Sequence, residues 1–250
     1  MDQIIFLGTA GARVTVAKQL RASGGIWITL DDTQLLVDPG PGSLVKCVKS
    51  RPKLDPTKLD GIILSHRHLD HSADINVMIE AMTDGGYNVR GTVFAPFNAL
   101  EEDPVILRYI RGYVKDIQIL IEKGKYALKN ISIETPVKHL HAEDTYGINF
   151  IGKKHTISYV TDTNYFDLLP DYYKGDVLIL NVARKDSSIV YHLCLDDAIK
   201  IIKKNKPKLT ILTHFGMTML KAKPWLLAEQ ISNELGVKVV AANDGMRIEL

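Results

Sequence analysis

The apolar run Ile62-Ile63-Leu64 leads directly into Ser65-His66-Arg67-His68-Leu69-Asp70-His71. The chain holds eight histidines in 250 residues, and three of them stand in the six residues from His66 to His71. An apolar run bounded by Gly61 and polar residues reads as a buried strand. In extended backbone, side chains at i and i+2 share a face, so His66 and His68 point the same way while strand geometry continues. Asp70 and His71 follow, where a turn and a helix start aim side chains back at the strand end. Neutral imidazole and carboxylate suit zinc and other divalent ions of similar size. The competing reading is a polar loop with exposed histidines. Gathering four such groups for packing alone is costly, so the metal reading prevails.

The rest of the chain is rich in short β-type runs. "QIIFLG", "GIWITL", "TQLLVD", "GTVFAP" and "DIQILI" fill the first part. "NISIETPVKH", "YGINFI", "TISYVTD", "DVLILNV", "LTILTHF", "VKVVAAN" and "MRIEL" follow. Helical spacing appears between some of them. "HSADINVMIEAMTDGG" starts beside the histidines and ends on a glycine pair, and "SLVKCVKS" is a shorter candidate. "LDDAIKIIKKNKPK" opens on acids and closes on lysines before Pro207, matching the helix dipole at both ends. "PWLLAEQISNELGV" has Pro224 near its first turn and stops at Gly236. No repeat or low-complexity linker divides the chain. Hairpin-like runs argue against a purely parallel wheel and for two packed sheets flanked by helices, as one domain over residues 1–250.

Composition narrows the function classes. Lys and Arg number 31 against 29 Asp and Glu, a net charge of +2, which gives no whole-protein field for gripping nucleic acid and leaves only a local patch. Cys47 and Cys194 form neither a disulfide framework nor a CxxC metal pair, and read as packed thiols. The start "MDQIIFLGTAGARV" has no basic flank before its short apolar run, unlike a signal peptide, and no stretch approaches the ~20 apolar residues that cross a bilayer. The expected compartment is the cytoplasm. A homodimer is compatible with all of this.

The motif His66-x-His68-x-Asp70-His71 resembles the signature of the metallo-β-lactamase superfamily of binuclear metallohydrolases. The likeness runs along nearly the whole chain. "LLVDPGPGS" is similar to the family's first motif, with Asp38 as the acid that braces the metal loops from behind. "HLHAEDTYGINF" offers His139 and His141 for a third histidine, with His141 six residues before Gly147 favoured by the family pattern. "SYVTDTNYF" gives Asp162 as the bridging acid, and "LTILTHFG" gives His214. The resemblance implies a four-layer αβ/βα sandwich with the site at one edge. It implies His66, His68 and His141 on one ion, Asp70, His71 and His214 on another, and Asp162 between them. The implied cofactors are two divalent ions, zinc first, with manganese or iron compatible, holding a bridging hydroxide as nucleophile.

"IIFLGTAGARV", "THF" and the Asp162 context look most like the branch of tRNA 3′-end-processing endonucleases and their phosphodiesterase cousins. Two features depart from the endonucleases. The long arm that holds tRNA is missing between Gly147 and Asp162, and Asn181 stands where a Glu is usual, although His192 is kept. Asn neither takes a proton nor holds an imidazolium as a carboxylate does. The expected substrate is therefore a small phosphodiester or related anionic ester. A lactonase or thioesterase, a tRNA endonuclease and a non-catalytic binding member stay as alternatives. Asp70 and His192 are the candidate catalytic residues, with a helix-start role as the structural alternative for His192. Arg13, Lys18 and Arg21 near the mouth could steer an anion, and so could Arg184 and Lys185. His155 is expected to be an exposed turn residue.

Overall fold

Burial along the first strand sets the layering. In β1 (Gln3–Phe6), Ile4 and Phe6 join one apolar cluster, while Ile5 joins another on the opposite face. A strand whose two faces are both apolar must be covered on both sides. The computed structural model, which describes residues 1–101, 103–187 and 191–250, supplies both covers.

The N-terminal sheet adds β2 (Ile26–Leu30), β3 (Thr33–Val37), β4 (Gly61–Ile63), β5 (Thr92–Pro96) and β6 (Asp116–Leu120). The second sheet holds β7 (Gly124–Leu128), β8 (Ile131–Thr135), β9 (Ile148–Ile151), β10 (Thr156–Val160), β11 (Val177–Arg184), β12 (Leu193–Cys194), β13 (Leu209–Thr213) and β14 (Lys238–Ala241). The last strand, β15 (Arg247–Glu249), returns to pair with β1. The orders are β15-β1-β2-β3-β4-β5-β6 and β14-β13-β11-β10-β9-β8-β7, with β12 beside β11. Between the sheets, Ile4, Phe6, Val37 and Ile63 meet Ile148, Phe150, Ile179 and Ile211.

Helices cover both outer faces. The first side has α2 (Ser43–Lys49) and α4 (Ile75–Met82), with Met78 and Ile79 of α4 packed on Ile62 and Val93, while α1 (Arg13–Ala17) and α3 (Leu69–Ser72) border the cavity at the sheet edge. The second has α5 (Leu169–Tyr172), α6 (Leu195–Asn205), α7 (Met217–Lys221) and α8 (Pro224–Leu235), and Ile201, Ile202 and Ile231 pack on Leu178 and Leu180. The result is the expected four-layer αβ/βα sandwich. None of these helices is long and apolar enough to cross a membrane.

Local chemistry explains the ends. Asp196 and Asp197 occupy the first turn of α6, and the Asp197 carboxylate accepts from the Cys194 backbone N–H at 3.2 Å. α8 starts on Pro224 and ends on Gly236 in the left-handed region. Cys47 is wholly buried, and burial pushes its thiol up to about 12. Two readings need correction. "GKYAL" forms β7, a strand that its sparse apolar content hides, and it hairpins with β8. The helix after the histidines is two pieces, α3 and α4, because the chain turns at Ala73 and Asp74 to let Asp74 bond Pro39 and Leu44.

Strand direction places the site. β3 and β4 run parallel, as do β10, β11 and β13. Their carboxyl ends open on one edge of the sandwich, where α/β sheets usually hold ligands.

Candidate metal centre

Each candidate ligand leaves a strand end or the loop beside one. Ser65, His66 and His68 follow β4, Asp162 follows β10, His214 follows β13, and His141 lies in the β8–β9 connection. Asp70 and His71 stand in α3, whose first turn aims them at the strand ends.

Among the described residues, three sets bring their ligand atoms within 4.8 Å of one another: His66, His68 and His141; His66, His71 and Asp162; Asp70, His71 and His214. His68 Nδ1 lies 3.1 Å from His66 Nε2 and 3.2 Å from His141 Nε2. His71 Nε2 lies 3.0 Å from His214 Nε2, and the latter is 3.4 Å from Asp70 Oδ2. Asp162 Oδ2 sits between the groups, 3.5 Å from His71 Nε2 and 3.9 Å from His66 Nε2. Ligands 2.0–2.1 Å from one tetrahedral ion stand roughly 3.3 Å apart, so these spacings fit divalent ions without rearrangement. All seven expected residues are thus brought together. His139 is not among them: its ring is buried behind the site, Nδ1 at 3.2 Å from the Asp162 carbonyl and Nε2 at 2.7 Å from the Tyr173 hydroxyl. Burial pushes His139 down to about 4.

The electrostatics suit cations. Burial, reinforced by His71, holds His66 well below the ordinary histidine value, and burial likewise lowers His68 and His141. Three neutral imidazoles present lone pairs to one point. Around His71 the field is opposite. Burial alone would lower it, but Asp70, Asp38 and Asp162 raise it well above its usual value. Three carboxylates make this a place where positive charge is stabilised, which an ion satisfies as well as a proton does. Burial would raise Asp162, yet His214, His71 and His192 keep it well below the carboxylate range.

A buried polar layer holds the ligands from behind. Asp38 Oδ2 lies 3.0 Å from His71 Nδ1 and accepts from the Tyr159 hydroxyl at 2.9 Å and from Ser65 Oγ at 2.8 Å. Asn181 Nδ2 donates to Asp162 Oδ1 at 3.0 Å and reaches Tyr159 Oη at 3.2 Å. Asn181 therefore fixes the central carboxylate. Tyr159 is the participant that sequence reasoning missed. Its signal is a tyrosine in an otherwise apolar strand, since a buried hydroxyl needs a partner. Backbone approach is equally tight. A Cβ on Gly40 would stand 2.0 Å from the Asp70 carbonyl, and one on Gly11 would stand 2.2 Å from His214 Nδ1. Asp38 and His214 both take left-handed backbone, φ 50° and 61°, the kind of cost that functional sites carry.

A cavity of about 840 Å³ opens over the ligands. His68, Asp70, His141, Asp162 and His192 line its floor. His192 Nε2 is 3.1 Å from Asp162 Oδ2, which gives this histidine a place at the site. Arg13 and Arg184 line the wall, and neither has an ion-pair partner among the described residues. Lys18 and Lys185 are not in the lining, and Arg21 bonds Thr9 Oγ1 and Asn243 Oδ1 instead of facing the cavity. His155 is also corrected: it is half-buried, with Nδ1 3.2 Å from Asp176 Oδ2. Its turn, Gly152 to His155, joins β9 directly to β10, so no arm is inserted there.

Two sheets thus lie between helices, with histidines and aspartates able to hold metal ions gathered at one edge. Residues 33–215 match the Beta-lactamase superfamily domain, and the chain belongs to that superfamily. An uncharacterized protein of Methanocaldococcus jannaschii is 32% identical, over 99% of this chain and 95% of its own. The crystal structure of the metallo-beta-lactamase fold protein YhfI from Bacillus subtilis is similar at TM-score 0.78 and 23% identity, covering 100% of this chain and 99% of that one. A diphosphatase from the PhnP family has TM-score 0.71 and 22% identity, covering 100% and 98%.

Proposed function

We propose that this protein is a binuclear metal-dependent hydrolase of small phosphodiesters. The observation that carries the reading is the paired ligand geometry with Asp162 between the two groups, under a cavity walled by Arg13 and Arg184. His66, His68 and His141 would hold one ion, and Asp70, His71 and His214 the other. When bound, such ions ionise water near neutral pH and polarise a phosphoryl oxygen. The chain's own groups do the rest. Asp162 and Asp38 keep the imidazoles oriented, and Arg13 and Arg184 draw in the anion. Asp70 lines the cavity beside His214; burial would raise its carboxyl, but His71 and His214 hold it well below the usual carboxylate range, which keeps it an anionic ligand for the second ion. His192 lines the cavity floor with Nε2 3.1 Å from Asp162 Oδ2, a position from which it would hand a proton to a leaving oxygen. The likeness to a diphosphatase agrees with a substrate that carries phosphate, and the four-residue β9–β10 turn argues against a tRNA-gripping arm at that place.

The test is turnover of bis-p-nitrophenyl phosphate, lactones and thioesters by metal-loaded protein, with wild type and Asp162→Ala compared. We expect phosphodiester turnover that falls at least about 10³-fold in the variant, together with loss of bound metal. Full activity in Asp162→Ala, or turnover confined to lactones or thioesters, contradicts the reading.

A further inference from the structure

The cavity is far larger and more apolar than a small phosphodiester needs. Its volume of about 840 Å³ lies in the upper part of the range of sites that bury a whole drug-sized ligand. Above the ligands the wall is aliphatic. Val14, Val16 and Ala17 come from α1, Leu69 from α3, and Met217 from α7. Leu69 is 70% exposed and Val14 51%, although both border a functional cavity. Apolar side chains left open to solvent around a concave site mark a surface that gains by being covered. A nucleobase would need donors and acceptors for its edge, and this wall offers few: the Thr15 hydroxyl is wholly buried, Thr218 Oγ1 already accepts from the Lys185 backbone N–H at 3.1 Å, and the half-exposed Tyr191 contributes a single phenol hydroxyl. Among the described residues, Arg13 and Arg184 supply the guanidinium charge of the lining.

Resting on the phosphodiesterase reading, we infer that the substrate is amphiphilic: a phosphate diester in which one substituent is a long aliphatic chain. The phosphate would sit at the floor between the ligand groups and the two arginines. The chain would lie along Val14, Val16, Leu69 and Met217.

Chain length in the substrate tests this. The metal-loaded protein is assayed on p-nitrophenyl methyl, butyl and octyl phosphodiesters, and the readout is the ratio of kcat/KM values. Full burial of one methylene gives about fourfold. Partial burial of seven should still give an octyl-to-methyl ratio of about 100. Leu69→Asp and Met217→Asp should bring the ratio near one, because a carboxylate in the wall repels the chain and the anion alike. A ratio near one in wild type, with clear turnover of the methyl ester, overturns the inference and leaves the phosphodiesterase reading standing. Absence of turnover with every ester removes that reading. In that case calorimetry with octylphosphonate and methylphosphonate decides on the cavity: tighter octyl binding supports an aliphatic site, and equal or absent binding overturns it.

Discussion

Asp162 gathers the site around one carboxylate. One oxygen takes the Asn181 amide at 3.0 Å, and the other faces His192 at 3.1 Å and His71 at 3.5 Å. The second carboxylate, Asp38, works at one remove. It orients His71 by the ring nitrogen that faces away from the ligand point, the usual way in which proteins fix a metal-binding imidazole. Asp38→Asn keeps the shape but removes the charge and one acceptor. Metal affinity should fall about 10–100-fold, read by competition with a chelator, while the folded spectrum is kept. Unchanged affinity would show that His71 needs no such brace. At this scale the sequence was informative where ligands cluster, and less so elsewhere. His66, His68, Asp70 and His71 are close in the chain, so their convergence follows from strand and turn geometry alone. His139 and His141 share a loop, and only the backbone path decides which ring faces the cavity and which packs on Tyr173.

At the level of elements, capping chemistry was the most legible feature. Acids, lysines, Pro224 and Gly236 marked the ends of α6 and α8. β7 was hidden because its residues alternate with Lys125 and Ala127 on an edge strand, leaving little apolar signal. The break between α3 and α4 was hidden for a different reason. Asp74 leaves the helix to accept from the Leu44 N–H in the first turn of α2, 30 residues earlier, a tertiary demand that local periodicity does not carry. The end of α6 gives a stability prediction. Lys206 takes left-handed backbone, φ 47°, as the residue after the helix. Lys206→Gly should raise the free energy of unfolding by about 0.5–1 kcal/mol, measured by denaturant titration, since glycine avoids the steric cost. A loss of stability would show that the Lys206 side chain contributes more than its backbone costs.

Across the whole molecule, the site depends on both sheets. His66, His68 and Asp70 follow the N-terminal sheet, and His141, Asp162 and His214 follow the second. Their meeting is a consequence of face-to-face packing through Ile4, Phe6, Ile63, Ile148 and Ile179. Arg67 adds a direct tie, with its Nε 2.7 Å from Glu143 in the loop that carries His141. The two-sheet architecture was readable from strand-rich patterning. The cavity was not, because its walls come from short segments such as α1, α3 and α7 that only the assembled sandwich brings together. Crystals grown with zinc and measured at its absorption edge give the most direct test. Two anomalous peaks should appear, one within 2.0–2.2 Å of His66, His68 and His141 and one at similar distance from Asp70, His71 and His214, with Asp162 touching both. No peak at either place, at zinc concentrations that saturate the protein, would contradict the metal centre.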